Sequence, residues 1–297
     1  MIRLWITGIV AALFLGGTCF AQKKKPAPFK WVNKPDKALP SGVKHAIFTS
    51  PSMGLDVGYT IYLPPSYKTE SSTRFPVVYH LHGGRPGSEL KSKQLARYVD
   101  KAIKDQSIKH TIYVFPNGGP MSWYNYPQIE NGLREDVFVN ELIPHIDKTY
   151  RTVASRNGRA IEGFSQGGRG TTRIMFKHPH LFCSAAPGGS GYEPEQRIRD
   201  NNGAESAHVK FAPGYNAWDL ANKFSKQADK ADLPILLWVG TKGFNYKFNL
   251  KYSAYLKELK IHHSMLITEG AKHSSKEIYE KDGLKLMKFH QRNFSKK

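Results

Sequence analysis

One segment of the sequence has residue types and spacing that could support nucleophilic catalysis. Gly163-Phe164-Ser165-Gln166-Gly167 has the pattern G-x-S-x-G, directly after a β-rich run at 159–162 and before a helical pattern at 169–178. Between a strand and a helix, small residues beside the serine permit a turn sharp enough to raise its hydroxyl above the edge of a sheet. We therefore predict that Ser165 is a nucleophile; the alternative is a tight glycine-rich turn without chemistry.

A serine hydroxyl attacks well only when a base accepts its proton, and acyl transfer also needs hydrogen-bond donors for the developing oxyanion. One predicted donor is the amide of Gln166, the first residue of the helix. The other is the turn His82-Gly83-Gly84, where Gly84 would let the backbone approach substrate. His80 and His82 could instead be metal ligands, but the spacing offers no third ligand, so we predict neither metal nor organic cofactor.

The base should follow the last strand of such a sheet. The turn at 269–274 contains His273 directly after the apolar run 265–268. We predict that His273 is the general base, and its alternative is an ordinary surface-loop histidine.

The elements that must position these residues alternate along the chain. Eight strands are predicted, at 43–49, 57–63, 75–81, 111–115, 159–162, 182–186, 235–239 and 265–268, with helical spacing between several of them and from Ser275 to about Phe294. This alternation is typical of an α/β fold with a mostly parallel sheet covered by helices on both faces, begun by an antiparallel pair. We predict a single domain at 41–297.

Six segments occur in the order found in a known family. They are YLPPSY (62–67), VVYHLHGG (77–84), FPNG (115–118), ELIPHID (141–147), the turn around Ser165, and GAKH (270–273). Together they resemble the α/β-hydrolase esterases of the esterase D type (carbohydrate esterase family 1-like), which include feruloyl and acetylxylan esterases, S-formylglutathione hydrolases and enterochelin esterases. The resemblance covers most of residues 40–295 and implies the α/β-hydrolase fold and ester hydrolysis.

The third member of a catalytic triad is where the sequence departs from that family. Most members have an Asp after the penultimate strand as Gly-x-x-Asp, but here Gly243 takes that place and no acid occurs in 240–257. Because some α/β hydrolases place the acid after the preceding strand, Glu193 is our first choice. Asp219, the amide of Asn245 and the absence of any third member remain open alternatives.

The amino terminus predicts export. The apolar stretch 5–20 is too short to span a membrane and ends in Cys19-Phe20-Ala21, which predicts a signal peptide at 1–21, followed by a proline-rich extended leader at 22–40. Cleavage would leave no stable membrane span, a secreted or periplasmic location, and Cys183 alone, expected as a buried thiol.

The net charge of +20 comes from 44 basic and 24 acidic side chains. The basic residues are spread along the whole chain, without zinc-finger spacing or an aromatic RNA-reading pattern, so no specific nucleic-acid partner is predicted. The charge suits a basic exported protein attracted to acidic polymers. The oligomeric state stays open.

These observations predict a secreted serine esterase that forms an acyl-enzyme on small-molecule or polysaccharide esters, with acetyl or feruloyl acyl groups. Trp123, Tyr124 and Tyr126 could stack on a sugar or feruloyl ring, or they could pack beneath a loop. The alternatives are a non-catalytic glycan-binding protein on the same fold and a serine peptidase.

Overall fold

A computed structural model describes residues 29–84, 87–121, 123–126, 128, 131–228 and 231–294. The predicted signal peptide, 1–21, and the first part of the predicted leader, 22–28, lie outside these residues. Within the described chain, no helix combines the length and the apolar composition needed to cross a membrane.

The described residues form ten strands. These are β1 Val43–Ser50, β2 Leu55–Tyr62, β3 Val77–Leu81, β4 Ile112–Pro116, β5 Arg159–Phe164, β6 Ser184–Gly188, β7 Ala204–Ser206, β8 Val209–Lys210, β9 Leu236–Gly240 and β10 Ser264–Thr268. Eight of them build one sheet in the order β1-β2-β4-β3-β5-β6-β9-β10, and β7 and β8 form a separate hairpin. The β1–β2 and β2–β4 pairs are antiparallel and the other pairs of the large sheet are parallel.

Helices connect the strands of the described chain. The α-helices are α1 Ala96–Lys104, α2 Arg134–Asp136, α3 Ile143–Thr149, α4 Gln166–Lys177, α5 Tyr192–Asp200, α6 Ala217–Ser225, α7 Tyr246–Glu258 and α8 Ser275–Asn293. A π-helical stretch, Val137–Leu142, joins α2 to α3, and short 3₁₀ turns lie at Pro65–Tyr67, Lys93–Leu95, Arg156–Gly158 and Pro179–Leu181.

The core has one layer on each face of the sheet, because successive side chains of a strand point to opposite faces. On β3, Val77, Tyr79 and Leu81 pack into one layer with residues of α3, α4, α6 and α7. Val78 points into the other layer, with residues of α1 and α8. The predicted fold, a mostly parallel eight-stranded sheet with helices on both faces, is confirmed, and each of the eight predicted strands matches within two residues at either end.

The described part of the predicted leader, residues 29–40, contains no helix or strand but is packed rather than merely extended. Trp31 lies against the core, and its carbonyl accepts hydrogen bonds from Gly58 N (2.8 Å) and Asn117 Nδ2 (2.9 Å). Asn33 Nδ2 donates to the buried carboxylate of Glu89 at 2.9 Å. This segment therefore forms part of the folded unit.

The carboxyl ends of the parallel strands meet along one edge of the sheet. The turns after β3, β5, β6, β9 and β10 all emerge there, and they contain Gly83, Ser165, Gly189, Asn245 and His273, respectively. The topology thus brings together residues that are far apart in the sequence.

Candidate active site

Ser165 lies on a strained turn between β5 and α4. Its backbone has φ 58° and ψ −111°, in the left-handed half of φ space that residues with a side chain rarely adopt. The turn is held by the hydrogen bond from Ser165 N to Gly188 O, 2.8 Å. A side chain at Gly167 would collide with the carbonyl of Leu81, so only glycine permits this close approach of helix to strand. Such strain commonly marks functional sites.

His273 approaches the serine from the turn after β10. Its Nε2 lies 2.9 Å from Ser165 Oγ, within hydrogen-bonding distance. The imidazole is flanked by two aromatic rings, Phe164 with centroids 4.7 Å apart and Phe244 at 4.2 Å. Because this burial disfavours the charged form, the pKa of His273 is lowered to about 4. The imidazole is therefore neutral and able to accept a proton at neutral pH.

Asn245 holds the other nitrogen of the imidazole. Its Oδ1 lies 3.2 Å from His273 Nδ1, while its Nδ2 donates to the carbonyls of Gly189 and, at 3.1 Å, Ser190. Those carbonyls can only accept, so the amide nitrogen must face them and the amide oxygen must face the imidazole. The proton of the neutral imidazole then lies on Nδ1, which leaves Nε2 as an acceptor toward Ser165.

This geometry corrects the prediction that Glu193 is the third member. Glu193 lies in the first turn of α5, where its carboxylate pairs with Arg197 one helical turn away rather than with His273. Asp219 is also placed elsewhere, because its carboxylate accepts from Asn216 Nδ2 at 2.8 Å at the start of α6. Asn245, one of the alternatives left open, is the residue that the fold brings to the imidazole.

Glu195, two residues after Glu193, is part of a buried ionic cluster that supports the fold. Glu195 is fully buried and accepts from Arg169 Nε at 2.7 Å and Arg173 Nε at 3.0 Å, as well as from Ala217 N. Burial opposes its ionisation, but the charges of Arg173 and Arg169 lower the pKa of Glu195 to about 2. This ionic cluster joins α4, α5 and α6 behind the active-site edge.

The two predicted oxyanion donors lie near the serine. Gln166 is the first residue of α4, and Gly84, with φ +77°, follows β3 in a turn that faces the Ser165 turn. Gly83 packs tightly against the Ser165 turn, since a Cβ placed on Gly83 would lie 2.8 Å from Phe164 O and 2.9 Å from Ser165 Cβ. The role of these amides stays a prediction.

A cavity of ≈ 420 Å³ opens beside the serine. The residues that line it come from the turns already described and from the starts of α4, α5 and α7: Gly84, Ser165, Gln166, Arg169, Gly191, Glu193, Pro194, Phe244, Asn245 and Phe248. Phe244 is 81% exposed, so the ring that contacts His273 also faces solvent. The cavity is large enough for an acyl group and part of an alcohol.

The three aromatic residues of the segment 123–126 are buried. Trp123 and Tyr124 are fully buried and Tyr126 is 8% exposed. Trp123 Nε1 donates to His82 O at 3.2 Å, and Tyr124 stacks on the guanidinium of Arg173, 3.8 Å from ring centroid to Cζ. Of the two alternatives left open for these residues, their burial favours packing beneath a loop over stacking on a ligand.

The sequence did not predict that Phe244 lines the cavity. Its only sequence signal is its position between Gly243 and Asn245, in the turn that normally supplies a triad residue.

The two histidines of β3 and its turn have local partners. His80 Nδ1 lies 2.6 Å from Glu162 Oε1 inside the core, and His82 Nε2 accepts from Gly118 N at 3.0 Å. Cys183 is buried, as expected. Among the residues that the structure describes, no group of three or more His, Cys, Asp or Glu side chains is arranged to hold a metal ion.

Solved structures share the fold at low sequence identity. A ferulic acid esterase superposes with a TM-score of 0.71 at 20% identity, covering 85% of this chain and 98% of that one. A ferulic acid esterase from Anaeromyces mucronatus, solved with ferulic acid, gives a TM-score of 0.62 at 20% identity, covering 89% of this chain and 94% of that one. The fold is that of the α/β hydrolases.

Sequence relatives match parts of the chain. Esterase Rv1288 of Mycobacterium tuberculosis is 33% identical over 143 residues, 47% of this chain and 30% of the relative. An endo-1,4-beta-xylanase/feruloyl esterase of Xylanibacter ruminicola is 31% identical over 172 residues, 53% of this chain and 23% of the relative. The chain thus spans less than a third of the length of either relative.

The family described as "Putative esterase" matches residues 50–280, which include every residue of the Ser165, His273 and Asn245 arrangement. The match covers most of the chain and confirms the resemblance found in its motifs. The chain belongs to this esterase family.

Proposed function

We propose that the chain is a serine carboxylic-ester hydrolase that works through an acyl-enzyme. The observation that carries this proposal is the continuous contact from Ser165 Oγ through His273 to Asn245 at the wall of an open cavity. Ser165 Oγ attacks the ester carbonyl while His273 Nε2 takes its proton, and the imidazolium then protonates the leaving alcohol. Water, activated by the same imidazole, attacks the acyl-enzyme and releases the acid.

The amides of Gln166 and Gly84 are the donors assigned to the oxyanion. Both residues line the cavity beside Ser165, which supports the assignment. Donors of this kind act where negative charge develops, so they stabilise the transition state more than the bound ester. Asn245 fixes the tautomer of His273 without adding a charge.

The proposed substrates are acetyl or feruloyl esters of polysaccharides outside the cytoplasm. A relative named as a xylanase and feruloyl esterase supports it, as does the exposed ring of Phe244 at the cavity. The apolar segment at 5–20 supports a secreted or periplasmic location, where such polymers are met.

The test is covalent labelling combined with turnover. A fluorophosphonate probe should label the wild-type protein at Ser165 and leave Ser165→Ala unlabelled, while Ser155→Ala, which changes an exposed serine upstream of β5, should behave as wild type. Hydrolysis of p-nitrophenyl acetate should fall in Ser165→Ala to below about a thousandth of the wild-type rate. Labelling of another residue, or equal turnover by Ser165→Ala, would contradict the proposal.

A panel of substrates separates the candidate functions. We expect hydrolysis of acetylated xylan or methyl ferulate and no cleavage of peptide anilides. Binding of xylan oligosaccharides without turnover would instead indicate a glycan-binding protein, and cleavage of peptide amides would indicate a peptidase.

A further inference from the structure

The carbonyl of Gly83, in the turn after β3, is approached by two nitrogen atoms. Lys91 Nζ donates to Gly83 O at 3.2 Å, and His82 Nδ1 lies 3.3 Å from the same oxygen. Lys91 is an exposed residue of the following loop, whereas His82 is almost fully buried. The two contacts therefore reach one carbonyl from different parts of the structure.

The hydrogen bonds of His82 define which of its nitrogens carries the proton. Gly118 N donates to His82 Nε2 at 3.0 Å, so that nitrogen must be an unprotonated acceptor. Burial lowers the pKa of His82 to about 3, so the ring is neutral and its single proton lies on Nδ1. Both His82 and Lys91 are consequently donors to the carbonyl of Gly83.

A donor on that carbonyl controls the direction of the next amide. In a planar trans peptide the C=O and the following N–H point in opposite directions. Holding Gly83 O against His82 and Lys91 therefore directs the N–H of Gly84 away from them. If this peptide flipped, a carbonyl oxygen would take the place of the amide, and Gly84 at φ +77° has the conformational freedom for such a flip.

We propose that Lys91 and His82 are positioning residues that fix the Gly83–Gly84 peptide so that the amide of Gly84 meets the oxyanion. The inference rests on the proposed function, because the oxyanion is that of ester hydrolysis. Lys91 also brings its charge close to the amide, since a Cβ placed on Gly84 would lie 2.6 Å from Lys91 Nζ. Gly84 itself lines the cavity beside Ser165.

Lys91→Met tests the inference, because Lys91 is exposed and its replacement leaves the core intact. Loss of one oxyanion donor costs about a hundredfold or more in kcat, so a loosened donor should cost about tenfold, with KM nearly unchanged. A trifluoromethyl ketone, which forms an oxyanion on Ser165, should bind more weakly by the same factor. Lys91→Arg, which keeps a charged donor, should restore most of the rate.

Lys93→Met is the matched control. It removes the same charge two residues along the chain, where Nζ donates to Leu90 O at 3.3 Å and not to the oxyanion turn. We expect it to keep the wild-type kcat and inhibitor affinity, and the thermal midpoint of both variants to stay near that of the wild type.

Three outcomes would overturn the inference: an unchanged kcat in Lys91→Met, an equal loss in Lys93→Met, or a loss of kcat without a matching loss of ketone affinity. Each presupposes that the wild-type protein turns over ester. A wild-type protein that neither hydrolyses esters nor reacts with fluorophosphonate would instead overturn the proposed function, and this inference with it.

Discussion

Asn245 presents its amide oxygen to Nδ1 of His273 at 3.2 Å, in the place where a carboxylate stands in a Ser-His-Asp triad. An amide fixes the tautomer and the orientation of the imidazole as a carboxylate does. It cannot balance the positive charge that the imidazole gains when Ser165 attacks. The candidate site thus keeps one of the two effects of the usual acid.

Asn245→Leu should show whether Asn245 acts on the tautomer and orientation of His273 or only on the packing of the site. The change removes the acceptor for Nδ1, so both tautomers become accessible, and we expect kcat to fall by about a hundredfold. The measurement is kcat on p-nitrophenyl acetate together with the free energy of unfolding, because the carbonyls of Gly189 and Ser190 also lose a donor.

Asn249→Leu is the control for that prediction. Asn249 Nδ2 donates to Ser190 O at 3.0 Å and to Asn245 O at 2.9 Å, within the same buried network but away from His273. It should lower stability with a much smaller loss of rate. Equal losses of rate in the two variants would mean that Asn245 acts only through the fold.

The pH dependence of hydrolysis should reflect the low pKa of His273. The base is the neutral imidazole, so the rate rises as the pH is raised through the pKa, about 4, and is level above it. At about pH 5.5 an imidazole with that pKa is almost wholly neutral, whereas an unperturbed one is roughly a tenth neutral. We expect near-maximal kcat/KM there.

The measurement is kcat/KM on an uncharged ester from about pH 3 to about pH 8, with circular dichroism at each pH. The carboxylates of Glu162 and Glu195 have a pKa of about 2, so they remain ionised across most of this range. An acid limb centred near 6.5, with the protein folded throughout, would contradict the expectation.

Gly243→Asp should move that acid limb upward. A Cβ on Gly243 would lie 3.1 Å from Gly240 O, 3.4 Å from Asn245 Oδ1 and 3.7 Å from the backbone nitrogen of His273. Because Asn245 Oδ1 itself lies 3.2 Å from His273 Nδ1, a carboxylate at this position would lie near the imidazole. A nearby negative charge stabilises the imidazolium and raises its pKa by about one unit or more. Because Asn245 already occupies Nδ1, we expect the shift in the pH profile to exceed any gain in the plateau rate.

Gly243→Asn is the neutral variant of similar size, and its acid limb should stay where the wild type has it. If Gly243→Asp left the limb unmoved, its carboxylate would not act on His273, and the glycine would not be a vacant acid position.

The sequence predicted the parts of the site that follow from local pattern. Ser165 was predictable because strand, glycine-flanked turn and helix are adjacent in the chain, and His273 because it follows the last strand. The third residue was not, because it depends on which of several turns reaches Nδ1 in three dimensions. Glu193 does follow β6, as expected, but it starts a helix in which Arg197 is its nearest charge.

The exposure of aromatic residues was equally hard to predict. Tyr124 is a loop residue by sequence, and its burial depends on Arg173, Glu195 and Phe211, which come from distant parts of the chain. The short hairpin β7–β8 was also missed, because its strands are two and three residues long and carry no clear alternation.

Phe244→Ala should affect aromatic substrates more than small ones. The ring is 81% exposed at the cavity and stands 4.2 Å, centroid to centroid, from the imidazole of His273. A ring-to-ring contact contributes roughly a two- to tenfold change in affinity, so KM for methyl ferulate should rise by about that factor. The KM for p-nitrophenyl acetate should change less, and kcat on both esters should stay within about twofold of wild type if Phe244 acts in binding alone.

Two control variants complete this comparison of KM values. Phe244→Tyr keeps a ring and should retain the low KM for methyl ferulate. Ile47→Ala removes an exposed apolar side chain from the edge strand β1, at the opposite end of the sheet from β10, and should leave both KM values unchanged. If Phe244→Ala raised the two KM values equally, or lowered kcat on both esters to the same extent, Phe244 would shield His273 rather than bind the aromatic group.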